Sequence, residues 1–422
     1  MRESNQLVNR LDWGTIILYF LLVSLGWLNI FAVVYDIQAD QSIFDLSLRS
    51  GKQLVWIMAA GLLIATIMLV DFRFYSSFAY FFYGGIILIL IFVLLFGREI
   101  AGSKSWFAIG SFRMQPSEFA KFATALAVAK YLSTNNRVFY NLKSQLTLFA
   151  IIGLPAVLII LQGDTGTAMV YAAFVLVFYR EGFSPLLLGI GIAAVILFVL
   201  TLFINQVYLI IAVVVTAFLL IGLNTKKTKR IVTIAVTSFA VISLIVSVDF
   251  LVTDVLKPHQ QNRIKALINP DGDPLGYGWN VTQSKIAIGS GGMWGKGFLQ
   301  GTQTKFDFVP EQSTDFIFCT IGEEHGWLGS SVLIVLFVWL LYRVTIIAER
   351  QKSSFARIYG YSVAAILFFH FAVNIGMTIG LFPVIGIPLP FFSYGGSSLW
   401  AFTILLFILL KLDAHRLQML TR

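Results

Sequence analysis

The chain has 422 residues, of which 58% are hydrophobic and 12% are charged, and its mean hydropathy is +0.84. So few polar residues could not cover that much apolar side chain in water, which excludes a soluble globular protein and indicates a polytopic membrane protein. The single cysteine excludes a disulfide framework, and the four scattered histidines lack metal-ligand spacing. The formal net charge of +9 is distributed among the connections between apolar runs, so we expect no nucleic-acid partner.

Twelve apolar runs follow one another along the chain, and crossing a hydrocarbon core of about 30 Å takes roughly 20 helical residues. The first run lacks a small-residue cleavage site, so we interpret it as a retained signal anchor. The sequence therefore predicts an all-α polytopic bundle, with membrane spans at 14–35, 53–70, 76–96, 117–133, 147–162, 166–180, 185–204, 207–223, 231–253, 315–346, 358–380 and 397–412.

The distribution of Lys and Arg predicts the orientation, because cytoplasmic connections are enriched in both. The short connections 163–165, 205–206 and 381–396 contain neither residue, whereas the alternate connections do. Both termini are therefore expected in the cytoplasm, with the loops 97–116 and 254–314 on the outer face. These two loops contain Lys and Arg, for which there are two explanations. Long loops cross the membrane regardless of their charge, or the cations bind a polyanionic lipid headgroup. The motifs described below favour binding to a headgroup.

The first outer loop contains an amphipathic segment around Trp106, which we expect to anchor in the membrane interface. The loop leads into Pro116-Ser-Glu-Phe-Ala-Lys, a sequence typical of a helix start. Glu118 and Lys121 are three residues apart and can pair on one helix face. They form either a snorkelling pair at a helix end or the polar floor of a lipid-headgroup cavity.

Two further outer segments carry polar residues. Asp164 lies in a tight turn, where local chemistry favours a turn or helix-capping role. The segment 382–398 is broken by Pro and Gly, and such backbone is tolerated at membrane depth only against protein or a cavity. We expect Ser393 to line the same outer cavity as the loop 254–314. We expect Asn374, in the middle of a span, to make an interhelical hydrogen bond.

The longest polar stretch, 269–329, is where we expect chemistry. Asp273 precedes a proline, and glycines follow, so its carboxylate can be presented on a sharp turn. It could deprotonate a hydroxyl nucleophile or bind a divalent cation. Asp271 is an equal local rival, and either residue could instead be an ordinary turn aspartate. Nearby cations suit a departing diphosphate, and Glu311 and Asp315 are expected to start the next helix. The sequence lacks a Ser-His-Asp set, a His/Cys metal pattern and a P-loop, which argues against a hydrolase, a zinc enzyme and an ATP-driven pump.

Many motifs, in order along most of the chain, resemble those of the SEDS family (shape, elongation, division and sporulation proteins). They are Gln115-Pro-Ser-Glu-Phe-Ala-Lys, Gln162-Gly-Asp-Thr-Gly-Thr, Asp273-Pro-Leu-Gly, Gln283-Ser-Lys-Ile-Ala-Ile-Gly-Ser-Gly-Gly, Gly295-Lys-Gly, Gly301-Thr-Gln, Thr314-Asp-Phe-Ile-Phe, Glu323-Glu and Pro388-Leu-Pro-Phe-Phe-Ser-Tyr-Gly-Gly-Ser-Ser. Within the family, the chain is more similar to the elongation members than to the division members.

The resemblance implies a peptidoglycan glycosyltransferase that polymerises lipid II on the outer face of the bacterial cytoplasmic membrane during cell elongation. It selects Asp273 over Asp271 as the essential carboxylate, which activates the acceptor 4-hydroxyl in an inverting displacement of undecaprenyl diphosphate. It leaves open whether Asp273 also binds Mg²⁺ or Mn²⁺. The implied partners are a class B penicillin-binding protein transpeptidase and other elongation-complex proteins.

Glu118 and Lys121 match polar positions in the family's lipid-facing cavity. The full set of residues expected to bind substrate is Arg113, Glu118, Lys121, Asp164, Arg263, Gln283, Ser284, Lys285, Glu311, Asp315 and Ser393. We treat residues 1–422 as a single membrane domain whose loop 254–314 is catalytic.

The family usually has about ten spans. The region 207–230 with the helix after it therefore fits a two-span insertion into a core of about ten, which leaves the catalytic loop outside. At two other positions, Trp279 and His325 stand where the family usually has Tyr and Leu.

Two other functions were weighed. A flippase for the lipid-linked precursor would suit the broken helices, but it needs charged groups along a path through the bilayer. Several predicted spans are almost free of charge in their central stretches, which favours chemistry at the surface. A scaffold for cell-wall assembly is the third alternative, and it would tolerate the loss of Asp273.

Overall fold

The computed structural model describes residues 10–35, 42–100, 102–110, 112–135, 138–223, 228–250, 261, 277–306 and 308–418. The chain divides into two compact units. The first comprises Met1–Gly182 together with Asn280–Arg422, and the second is Phe183–Trp279.

The first unit is a helical bundle with a small sheet. Its helices before residue 182 are α1 (Trp13–Val34), α2 (Arg49–Leu69), α3 (Phe72–Ser77), α4 (Ala79–Phe96), α5 (Pro116–Thr134), α6 (Leu142–Leu161), α7 (Thr165–Met169) and α8 (Phe174–Arg180), with 3₁₀ turns at Val138–Tyr140 and Val170–Ala173. An antiparallel sheet of β1 (Arg98–Ile100), β2 (Ser103–Ile109) and β3 (Phe112–Met114) connects α4 to α5.

The second unit contains α9 (Pro185–Phe203), α10 (Gln206–Leu223) and α11 (Thr228–Phe250), and α11 packs against both of the others. After it come α12 (Tyr277–Ser290), whose residues from Asn280 belong to the first unit, and α13 (Thr302–Lys305), α14 (Ile317–Glu349), α15 (Ser354–Thr378) and α16 (Gly396–Ala414). The described part of α10 buries no side chain in protein. The proposed insertion at 207–230 stays a prediction.

All twelve predicted spans coincide with helices, and the all-α membrane architecture is confirmed. In the described ranges, nine helices are long and apolar enough to cross a membrane, and two more apolar helices are shorter. Helix α5 is not among these eleven because it carries three charged residues, Glu118, Lys121 and Lys130. The segment around Trp106, expected to be amphipathic, forms strands: Trp106 pairs with Arg98, and Phe107 pairs with Met114.

Helix α5 lies at the centre of the first unit, where α4, α6, α15 and α16 all pack against it. Its buried face is rich in alanine, and Ala120, Ala123 and Ala127 are fully inaccessible. Small side chains let neighbouring helices approach closely, as is typical of membrane bundles. The charged residues at the start of α5 are therefore enclosed by protein.

Helix α14 is kinked at Gly326, which has φ of 64° and ψ of −158°. The segment that follows α12 packs into this kink: a Cβ on Gly326 would lie 2.4 Å from the Gly295 nitrogen, and Trp327 N donates to the Gly292 carbonyl. Only glycine adopts this backbone conformation without strain. The kink is therefore fixed by the segment packed into it.

An ion-pair network closes the opposite end of the bundle from the start of α5. Arg350 at the end of α14 contacts both Asp12, which caps α1, and the fully buried Asp413 near the end of α16. Arg343 bonds Asp12 at 2.7 Å, and Arg416 bonds Asp413 at 3.0 Å. The network joins the first and last helices through α14.

Candidate functional site

The start of α5 lies in a hydrogen-bonded polar cluster formed with the starts of α7 and α16. Pro116 occupies the first turn of α5, where the missing N–H has no cost. Gln115 precedes it: its backbone N–H donates to the Ser397 hydroxyl at 3.1 Å and its side-chain amide to Asp164 at 2.7 Å. We call Gln115, Asp164, Ser397 and the side chains that hydrogen-bond to them the polar cluster.

Asp164 is a helix cap, as the turn chemistry predicts. Its Oδ1 accepts a hydrogen bond from the backbone N–H of Thr167 at 3.0 Å, which satisfies one unpaired donor of α7. Its Oδ2 accepts from Gln115 and, at 3.3 Å, from the Ser117 hydroxyl. The capping role is confirmed, and the same carboxylate also positions the first turn of α5. A role in substrate binding stays a prediction.

Glu118 and Lys121 form a buried ion pair, with Lys121 Nζ 2.8 Å from Glu118 Oε2 and each residue only 2% exposed. The snorkelling interpretation is therefore wrong, because neither charged group reaches solvent. A second partner of Lys121 is His370 of α15, whose Nε2 lies 3.0 Å from Nζ. The pair lies inside the protein rather than open at a cavity surface in this structure.

Two exposed guanidinium groups lie near Tyr394, the residue before the Gly395-Gly396 start of α16. Arg49 bonds the Ser313 hydroxyl and stands 5.9 Å from the centroid of the Tyr394 ring. Burial raises the pKa of the Tyr394 phenol, and the positive charges of Arg49 and Arg113 act in the opposite direction. The first turn of α16 thus has cations beside its N–H groups, an arrangement that favours anions.

The broken segment between α15 and α16 is held by side chains that bond backbone groups. Ser393 Oγ donates to the Thr314 carbonyl at 2.6 Å and accepts from Leu389 N at 2.9 Å. Asn374 donates to the carbonyls of Asp315 and Ile387, both at 2.8 Å. Asn374 makes hydrogen bonds as predicted, but they are not interhelical, because Asp315 lies in the turn 311–316 and Ile387 in the broken segment. Because the Ser393 hydroxyl is engaged in the fold, its predicted substrate contact stays untested.

Three predicted residues lie on α12. Ser284 is fully buried and donates to the Thr378 carbonyl at 2.8 Å, while Gln283 is 8% exposed. Lys285 is exposed, and its side chain lies against Gly380, where an added Cβ would come within 2.4 Å of the Lys285 Cε. Helix α12 is therefore fixed to the end of α15 and presents one cation at its surface.

The acidic residues expected to start the next helix are placed differently. Helix α14 begins at Ile317, so Glu311 lies in a turn six residues earlier, with φ of 53°, and accepts from the Thr314 hydroxyl at 3.0 Å. The expectation of a helix start is wrong for Glu311, because the turn 311–316 intervenes. Asp315 is half-buried at the end of this turn, with Oδ2 3.2 Å from a Cβ built on Gly386.

Asp273, its rival Asp271 and the cation Arg263 lie outside the described residues. In the ranges that the structure does describe, no group of three or more His, Cys, Asp or Glu side chains could hold a metal ion. Arg113 is described, is exposed on β3 and pairs through its backbone with Ala108 of β2.

Sequence reasoning missed Arg49, Gln53 and His370 as members of this region. Gln53 Oε1 accepts from the Gly395 N–H at 3.1 Å, so it lies at the start of α16. The available signal was an ionisable or amide side chain within an apolar run or at its edge, which is costly in a membrane and by default suspected of function. Applied to α2 and α15, it would have selected all three residues.

Comparisons with known proteins match nearly the whole chain. The profile of the cell cycle protein family FtsW/RodA/SpoVE matches residues 12–212 and 181–418. The chain is 33% identical to the peptidoglycan glycosyltransferase RodA of Treponema pallidum over 97% of its own length and 99% of that protein's. It is 32% identical to the peptidoglycan glycosyltransferase MrdB of Escherichia coli K12, over 94% and 93%.

Solved structures agree. A chain of a peptidoglycan synthase complex that coordinates polymerization and crosslinking superimposes with a TM-score of 0.70 at 26% identity, covering 97% of this chain and 99% of that one. The crystal structure of RodA from Thermus thermophilus has the same fold, with a TM-score of 0.62 at 24% identity and coverage of 96% and 97%. The chain therefore belongs to the FtsW/RodA/SpoVE family, the SEDS family whose motifs it carries, and is a multi-pass protein of the bacterial membrane.

Proposed function

We propose that this protein is a peptidoglycan glycosyltransferase that polymerises lipid II during cell elongation. The observation that carries the proposal is its similarity, over nearly the full length of both chains, to two proteins named as peptidoglycan glycosyltransferases. A likeness of that extent includes every helix of the bundle, not one shared module.

The exposed cations near the start of α16 and on α12 support an anionic, lipid-linked substrate. Arg49 and Arg113 are exposed beside Tyr394 and the first turn of α16, and Lys285 is exposed on α12. Guanidinium groups bind phosphate oxygens in bidentate geometry, and a helix N-terminus adds a positive partial charge. We assign these three groups to the diphosphate of the donor; the substrate contact of Arg263 stays a prediction.

In this mechanism, Asp273 accepts the proton of the acceptor 4-hydroxyl. The oxygen attacks the donor's anomeric carbon as the bond to undecaprenyl diphosphate breaks, with inversion at that carbon. The cations neutralise the charge that develops on the departing diphosphate. A divalent cation at Asp273, Mg²⁺ or Mn²⁺, would supply additional charge stabilisation, and chelation followed by titration of each metal tests for it.

The proposed topology has both termini in the cytoplasm and the loop 254–314 outside. Its support is the distribution of Lys and Arg among the connections. The single native cysteine, Cys319, is buried, so an introduced cysteine is labelled selectively. We expect a membrane-impermeant maleimide to label Ser290→Cys in intact spheroplasts and Lys352→Cys only after lysis; both native side chains are exposed. The reverse pattern would overturn the orientation.

For a partner, we propose a class B penicillin-binding protein transpeptidase within the elongation complex. The support is the solved neighbour, which belongs to a complex that couples polymerization to crosslinking. Copurification from membranes with a tagged transpeptidase tests this pairing, and a chain that never copurifies contradicts it.

The central experiment compares Asp273→Asn with Asp271→Asn. Each variant is purified with the transpeptidase, given fluorescent lipid II, and its products are separated by gel electrophoresis. We expect no glycan from Asp273→Asn and normal glycan from Asp271→Asn, a matched control two residues away.

Polymerisation by Asp273→Asn at the wild-type rate would remove the catalytic assignment. Absence of glycan from the unsubstituted protein, together with movement of lipid II between leaflets in proteoliposomes, would replace the enzyme with a flippase.

A further inference from the structure

The buried pair at the start of α5 has a third member that the proposed mechanism does not use. His370 of α15 is fully inaccessible and contacts Lys121 through Nε2 at 3.0 Å. Its other ring nitrogen, Nδ1, lies 3.1 Å from the carbonyl oxygen of Pro388 in the broken segment before α16. The imidazole thus lies between α5 and that segment.

The Pro388 contact determines which ring nitrogen carries the hydrogen. A carbonyl oxygen only accepts, so Nδ1 must donate, and a neutral imidazole then presents a lone pair at Nε2. An ammonium group only donates, so Lys121 donates to this lone pair. Pro388 therefore makes His370 an acceptor for Lys121.

The surroundings of Lys121 are then complete. An ammonium has three N–H donors, and Lys121 has three acceptors: Glu118 Oε2 at 2.8 Å, His370 Nε2 at 3.0 Å, and the face of Phe402, whose ring centroid is 4.6 Å from Nζ. The same Phe402 ring meets the imidazole edge-on, with centroids 4.8 Å apart. Lys121 has no donor left for a substrate phosphate.

We infer that His370 is a positioning residue that holds Lys121, and through it Glu118, in a fixed place relative to the segment 382–395. This inference rests on the proposed polymerase function. Lys121 is accordingly an internal brace for the first turn of α5 rather than a phosphate ligand. The Pro388 contact links that brace to the segment that leads into Tyr394 and the start of α16.

Three substitutions separate the two hydrogen bonds. His370→Gln places an amide oxygen where Nε2 was and keeps the acceptor for Lys121. His370→Asn places an amide N–H where Nδ1 was and keeps the donor to Pro388 but loses Lys121. His370→Phe keeps a ring against Phe402 and loses both bonds.

The assay is polymerisation of fluorescent lipid II by the full chain with its transpeptidase, with kcat and KM determined for each variant. We expect His370→Gln to stay within about threefold of wild type, and His370→Asn and His370→Phe to lose roughly tenfold to a hundredfold in kcat, the range for one lost hydrogen bond to a charged group. KM is expected to stay within about twofold, because His370 does not touch substrate. Size-exclusion profiles and thermal midpoints in detergent identify any variant that fails to fold.

Equal activity of all three variants would overturn the inference while leaving the polymerase function intact. So would full activity of His370→Asn with loss in His370→Gln, since the Pro388 contact alone would then matter. If His370→Asn does not fold, the comparison of Gln with Phe still decides, because Phe retains the packing volume. If the wild-type protein itself makes no glycan, that result contradicts the proposed function rather than the role of His370.

Discussion

The carboxylate of Glu323 on the kinked helix α14 binds the segment that follows α12. Removing its charge should allow that segment to open. Oε1 accepts from the Lys296 ammonium at 2.7 Å and from the backbone N–H groups of Thr302 and Gln303 at 2.8 Å. Oε2 accepts from the backbone N–H and the hydroxyl of Thr304, at 3.0 and 2.9 Å. The first turn of α13 thus has one acceptor group for three N–H donors.

Glu323→Gln keeps the shape of the side chain but removes its charge and turns one acceptor into a donor. The Glu323 side chain is fully buried, whereas that of Lys296 is 26% exposed and can be hydrated, so the ammonium contributes little to the loss. In the variant, the amide NH₂ of the new Gln faces a backbone N–H, and the remaining hydrogen bonds to its oxygen are weaker. Together these changes should destabilise the closed segment by about 3 kcal/mol, because all the groups are buried. Opening of this segment should become roughly a hundredfold more frequent, at about 1.4 kcal/mol per factor of ten.

The neighbouring Glu324 provides a matched control. It is also fully buried, but neither of its oxygens makes a hydrogen bond of normal geometry with the residues that the structure describes. The backbone N–H groups of Leu299 and Gly301 lie near this carboxylate. Glu324→Gln keeps an amide oxygen that can face these N–H groups and removes a buried charge, so we expect a change in stability within about 1 kcal/mol.

Hydrogen–deuterium exchange in nanodiscs measures the effect directly, on peptides that cover 297–306. We expect the amides of Thr302, Gln303 and Thr304 to lose about a hundredfold of protection in Glu323→Gln, and less than about fivefold in Glu324→Gln. Unchanged protection in the first variant, or an equal loss in both, would refute the assignment of these donors to Glu323.

Two further predictions concern packing and pH. Gly166→Ala would bring a Cβ to 2.1 Å from the Ile385 carbonyl oxygen, so we expect about 1–3 kcal/mol of destabilisation and a lower thermal midpoint in detergent. Gly153→Ala is the control, because a Cβ there would meet no atom within 4 Å and should not lower the midpoint. Equal midpoints of the two variants would contradict the contact. Burial raises the pKa of Asp12, but hydrogen bonds from Arg343 and Thr15 outweigh it and hold that pKa below its usual range. The stability from Asp12 should therefore be present above about pH 4 and be lost as the pH falls through the lowered value; thermal midpoints between pH 6 and 3 should show an acid slope that is reduced in Asp12→Asn, and identical slopes would contradict it.

The membrane bundle was predictable from sequence because the bilayer allows few alternatives. A lipid-exposed chain must bond its backbone internally, so each long apolar run has to be a helix. Asp164 was predictable as a cap for a similarly local reason, since its acceptor and the N–H of Thr167 lie three residues apart.

The small sheet was not predicted, because its strands are too short for an alternating pattern to be recognised. β1 and β3 have three residues each, and their pairing depends on β2 between them. Charged residues such as Arg98 and Arg113 lie within these strands and resemble loop residues in a single sequence.

The contacts that define the site depend on distant parts of the chain. Lys121 and His370 are 249 positions apart, and Arg49 and Ser313 are 264 apart. One sequence contains no signal for such pairs unless a motif is already known. The family motifs included Lys121 and Ser393 but gave no indication that one lysine would have all its donors occupied.

The network at Arg350 also has a consequence for biogenesis. Arg350, which neutralises Asp12, is synthesised more than three hundred residues after it, and Asp413 follows later still. Until α16 is inserted, Arg350 and Asp12 lack Asp413, the second acid of the network. The start of α1 and the end of α16 are thus joined only after α16 has entered the membrane.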